Sequence, residues 1–155
     1  MLDFLATQPP LRFGDLRAGF AFGPVEVTVT PAFVDEYVAI TGDDLSIYHS
    51  AEAARTAGFD GPVMPPGLLG VLARATYLAR RRMLPGGLMV AQSYALHEPI
   101  LVGESLALSA YVTKHDAMDP KRRVDLRCLI EATTGPAATV TIVARWPPDE
   151  GEAGP

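Results

Sequence analysis

Residues 68–83 are apolar almost all the way round until the last turn, where Arg80, Arg81 and Arg82 stand together ahead of Pro85-Gly86-Gly87. A helix without a polar face has to be enclosed by protein. The C-terminal half of the chain supplies the enclosure: residues 88–98, 105–114, 123–133 and 138–146 each carry the pattern of a strand, joined by turn-rich links at 99–104, 116–122 and 134–137. Upstream, residues 24–30 alternate apolar with polar or β-branched side chains, as a half-buried strand does. The order of one strand, helices and then a four-strand antiparallel meander predicts an α+β fold in which a curved sheet of about five strands wraps a central buried helix. Such a sheet leaves one face and an edge uncovered, so a dimer is expected.

Two shorter helices are bracketed by their caps. Thr30 is an N-cap with Pro31 at the first helical position, and the apolar stripe of Phe33, Val34, Tyr37, Val38 and Ala39 runs to a stop at Gly42. Ser50 caps a second, brief helix that Gly58 is placed to end.

At 155 residues, with 48% hydrophobic and 20% charged, the chain fits one domain over 1–155, its core at about 24–146 and mobile tails at 1–10 and 147–155. The single cysteine, Cys128, allows no internal disulfide and suits a reducing cytoplasm. No apolar run is long enough to span a membrane, and no targeting segment is expected. A net charge of −5 lacks the positive field that draws nucleic acid or anionic lipid. Three scattered histidines make no metal site, and no nucleotide-binding or nucleophile-elbow motif is present, so neither metal nor cofactor is expected.

The informative segment is 37–70, YVAITGDDLSIYHSAEAARTAGFDGPVMPPGLLG. Thr41-Gly42-Asp43, then Ala53-Ala54 with Ala57-Gly58-Phe59, then Gly61-Pro62-Val63 with Gly67-Leu68-Leu69 come in one order, and Glu98-Pro99-Ile100-Leu101-Val102-Gly103-Glu104 comes later. In these motifs residues 24–146 resemble the MaoC-like branch of the hot-dog fold, the (R)-specific enoyl-thioester hydratases and 3-hydroxyacyl dehydratases. The family wording is a Gly-Asp-x-Asn-Pro-apolar-His loop, a helix ending in Gly-Phe and a Pro-apolar-x-His-Gly turn into the central helix.

The resemblance implies a cofactor-free hydro-lyase that adds or removes water on an acyl thioester of coenzyme A or carrier protein. Asp43 matches the catalytic Asp, and Gly67 the glycine whose N–H steadies the thioester oxygen. The chemistry needs one group to take a proton, another to give one, and preorganised donors at the developing oxyanion. Met64, Pro66 and Leu68 are core by default and substrate-lining in such a fold.

The departures are specific. Tyr48 stands at the catalytic His position, Leu45 at the Asn, Ser46 at the Pro, and Pro66 where the turn has His. His49 lies one residue later and reaches the vacated place only through a local backbone shift, since neighbours on an extended segment point oppositely. Tyr48 is the other candidate second proton handler, although an ordinary phenol is a poor base at neutral pH. These departures keep two alternatives open: a non-catalytic acyl-binding subunit of a heteromeric dehydratase beside a catalytic homologue, or another reaction on an acyl thioester, such as hydrolysis or cyclisation. The bland readings are a surface histidine for His49, packing for Tyr48 and Cys128, an outward polar residue for His97, and a solvated helix end for Arg80 to Arg82.

Overall fold

The computed structural model describes residues 8–149. Its strands in chain order are β1 (Pro10–Leu11), β2 (Ala21–Thr28), β3 (Arg82–Met83), β4 (Leu88–Leu96), β5 (Ser105–His115), β6 (Arg123–Ala132) and β7 (Gly135–Arg145). The main sheet has five of them in the spatial order β2-β5-β6-β7-β4, and all its pairs are antiparallel. Three helices lie between β2 and β4: α1 (Pro31–Thr41), α2 (Ala51–Thr56) and α3 (Leu68–Leu78). This is the hot-dog arrangement, and α3 is its central helix.

The caps form as the sequence predicts. Thr30 Oγ1 accepts from the Phe33 N–H at 3.2 Å, Ser50 Oγ accepts from the Ala53 N–H at 3.2 Å, and Gly42 leaves α1 with φ 73°. From α3, Leu68, Leu69, Leu72, Ala73, Thr76 and Tyr77 are buried. They pack into a core with Leu108, Leu126, Ile130 and Ile142, supplied by alternate residues of β5, β6 and β7. Each fully buried leucine contributes roughly 1.5–3 kcal/mol of transfer free energy. The enclosure has one gap, because Val71 and Arg74 on the fourth side of α3 are exposed.

Three expectations need correcting. The central helix ends at Leu78, not Met83. Strand β3 at Arg82–Met83 pairs in parallel with β1, so the arginine run lies beyond the helix. No helix breaker precedes Pro85; the stop comes from a distant partner. That partner lies near residues expected to be a tail. Leu11 is fully buried, and its carbonyl accepts from Trp146 Nε1 at 2.9 Å, so the core begins well before residue 24. Residues 1–7 and 150–155 lie outside the described residues.

The third correction concerns topology. Only β5-β6-β7 is a meander; β4 pairs with β7 and occupies the edge opposite β2. The link after β4 crosses between the two edges, held by Met64 N–H to Ile100 O at 2.7 Å and Val29 N–H to Glu104 O at 2.8 Å. Its acidic residue has a structural task, since Glu104 Oε2 accepts from the Leu101 N–H at 2.7 Å.

Candidate active site

The segment after α1 is folded by short-range hydrogen bonds. Thr41 Oγ1 donates to Tyr37 O at 2.9 Å and accepts from the Asp43 N–H at 3.3 Å, which fixes the start of the acidic loop. A single 3-10 turn, Ser46–Tyr48, then swings Tyr48 inward until only 5% of it is exposed. The Val63 N–H donates to Ile47 O at 3.0 Å, and Val63 bridges to Leu101, so the approach to α3 is pinned between this turn and the crossing link.

These pieces enclose a cleft of about 380 Å³. Leu45, Ile47, Phe59, Met64, Pro66 and Ile100 give it an apolar lining. Polar groups enter from two walls: Tyr48 from one, His97 and Glu98 from the other. Burial, then the charge of Asp43, then Tyr37 and hydrogen bonding toward Asp43 hold the Tyr48 phenol above its ordinary pKa. It is therefore a neutral hydroxyl, a donor and not a base.

The candidates divide. Asp43 is exposed and is not among the residues lining the cleft, but its carboxylate is near enough to act on the phenol of the buried Tyr48. Met64 and Pro66 line the cleft. Leu68 does not; it is 1% exposed and belongs to the core. Gly67 is the N-cap of α3, where no protein acceptor takes its N–H among the described residues. His49 stands apart from the cleft: Nδ1 is 3.2 Å from Asp35 Oδ1 and Nε2 is 3.0 Å from Asp44 Oδ1. The backbone shift that would substitute it for Tyr48 is not made.

Sequence reasoning missed two cleft residues. His97, read as an outward polar residue, lines the cleft with Nε2 3.2 Å from Thr139 Oγ1. Glu98 accepts from Thr134 Oγ1 at 3.3 Å. The signal was their place immediately before the Pro-Ile-Leu-Val-Gly-Glu turn that returns past Val63. Cys128 is fully buried, and burial pushes its thiol up to about 11. Among the described residues no group of His, Cys, Asp or Glu could hold a metal ion, and no helix is long and apolar enough to cross a membrane.

The family model for the FAS1-like dehydratase domain region matches residues 17–135. The chain belongs to this MaoC-like hot-dog family. No curated protein sequence matches it. Among solved structures it is similar to the (R)-hydratase PhaJ1 of Pseudomonas aeruginosa, with 18% identity, TM-score 0.76 and coverage of 92% of this chain and 90% of that one. The C-terminally truncated HadBC complex of Mycobacterium tuberculosis, a 3R-hydroxyacyl-ACP dehydratase, gives 23% identity and TM-score 0.72 over 82% and 95%. A MaoC-like dehydratase of Rhodospirillum rubrum gives 16% and 0.71 over 89% and 99%. At these identities the structural likeness is one of fold.

Proposed function

We propose that this MaoC-like protein binds an acyl thioester of coenzyme A or carrier protein with its acyl chain in the cleft, and adds water to a 2-enoyl group or removes it from a 3-hydroxyacyl group. The observation that carries this reading is Tyr48, a neutral phenol on the wall of an apolar cleft with the Asp43 carboxylate beside it. In the dehydration direction Asp43 takes the proton from C2 while the Gly67 N–H faces the thioester oxygen on which charge develops. Tyr48 gives its proton to the departing C3 hydroxyl, which leaves as water, and recovers a proton from Asp43. One water is lost and both side chains return to their starting state. Met64 and Pro66 contact the acyl chain.

A second reading has its own support. His49 is held outside the cleft by Asp35 and Asp44, which leaves the usual imidazole position filled by a phenol. A chain of that kind serves as an acyl-binding subunit beside a catalytic homologue. Either reading needs a partner copy. Edge strand β4 exposes Leu88, Met89, Val90, Tyr94 and Leu96, and a second hot-dog chain pairing along that edge would cover them.

Purified protein mixed with a crotonyl thioester separates the two. Loss of the enoyl absorbance, diminished by Asp43→Asn and by Tyr48→Phe, supports the catalytic reading. Inactivity of the protein alone, relieved by a catalytic homologue, supports the subunit reading. Release of free thiol with the double bond intact would replace both with hydrolysis.

A further inference from the structure

Gly67 has ordinary helical angles, φ −63° and ψ −24°, so its backbone conformation makes no demand for glycine. The demand comes from α1. A Cβ built at position 67 would land on the hydroxyl of Tyr37. The phenol of α1 therefore lies directly against the N-cap of the central helix, and a side chain at position 67 would have to push its hydroxyl aside.

Tyr37 is half-buried, and its hydroxyl makes no hydrogen bond with any described residue, yet it is not sealed from solvent. The Gly67 N–H beside it is equally without a protein acceptor among the described residues. Two uncommitted donors thus share one small volume, outside the cleft lining itself but next to Pro66, which lines it, and close enough to the lining residue Tyr48 for the two phenols to interact. Simple packing would be served as well by phenylalanine, with no hydroxyl left in want of a partner.

We infer that Tyr37 is a catalytic residue, its hydroxyl joining the Gly67 N–H as a second donor to the thioester carbonyl oxygen. The inference rests on the acyl-thioester reading above. A single N–H at a helix start leaves the oxygen free to rotate about one hydrogen bond; a second donor fixed by α1 orients the carbonyl and takes a share of the charge that develops on it.

The test uses Tyr37→Phe, which keeps the ring against Gly67 and removes only the donor. A butyryl thioester of coenzyme A, labelled at the carbonyl, cannot be hydrated and reports binding without turnover. Its carbonyl stretch by isotope-edited infrared spectroscopy should lie lower on the wild type than on Tyr37→Phe. With a crotonyl thioester, kcat should fall by about 10²–10³ while KM changes little, as for loss of one oxyanion donor. Binding to both proteins with the same carbonyl frequency overturns the role of Tyr37 and leaves the acyl-thioester reading standing. Absence of thioester binding to the wild type overturns that reading and this inference with it.

Discussion

Nε2 of His49 lies 3.0 Å from Oδ1 of Asp44, and this contact keeps the imidazole outside the cleft whose wall Tyr48 occupies. The second of the paired acids after α1 therefore acts on the histidine, while the first, Asp43, acts on the tyrosine. Adjacent residues at 48 and 49 face different surroundings, because Tyr48 ends the 3-10 turn that swings it inward and His49 is the residue that leaves that turn.

His49→Ala should consequently leave thioester turnover near the wild-type rate and the fold intact, because side-chain contacts at the surface contribute little. Steady-state kinetics with a crotonyl thioester check this. A drop of about 10²–10⁴, the usual contribution of a general acid or base, would return His49 to the reaction.

The raised phenol of Tyr48 makes a statement about stability. An unfolded tyrosine ionises near pH 10, whereas the folded one keeps its proton to higher pH, first because it is buried and then because Asp43 is close. Above about pH 10 the unfolded chain binds fewer protons than the folded one, so this contribution is full below that value and is lost as pH rises through the folded pKa. Tyr77 and Cys128, both raised mainly by burial, act in the same direction. Urea midpoints measured at increasing alkalinity should decline, and decline less steeply in Tyr48→Phe. Equal slopes would mean that the phenol is not desolvated.

Gly67→Ala should collide with Tyr37, at a cost of about 1–3 kcal/mol for an overpacked contact. Tyr37→Ala removes the obstacle, so the double variant should be more stable than the sum of the two single losses. A double-mutant cycle by urea unfolding measures that coupling, expected at about 0.5–3 kcal/mol for touching residues. Simple additivity would show that the two are not in contact.

Much of this was legible from local pattern. The caps at Thr30 and Ser50, the stop at Gly42 and the strands of the main sheet all arise from short-range chemistry that a sequence carries openly. What stayed hidden depended on distant partners. Nothing near Leu78 announces that Arg82–Met83 will pair with Pro10–Leu11, and no local feature tells β4 to join β7 in preference to β5. The site divides the same way. Asp43, Gly67, Met64 and Pro66 sit in motifs, whereas the place of Tyr37 against Gly67 and of His97 in the cleft arises only when separate elements meet.

The uncovered edge of β4 gives a further expectation. Val90 is 55% exposed. Val90→Lys should shift the assembly from dimer to monomer in sedimentation equilibrium, since a charge on a strand edge opposes pairing with a second edge. A wild-type protein that is already monomeric at every concentration would contradict the pairing.

The most direct measurement is hydration of a crotonyl thioester by the wild type, Asp43→Asn and Tyr48→Phe at one pH near neutrality. Turnover by the wild type, with each variant slower by about 10²-fold or more and the double variant no worse than either alone, is expected of a carboxylate and a phenol passing one proton between them. Wild-type turnover that survives both substitutions unchanged would contradict the assignment of Asp43 and Tyr48 to the reaction.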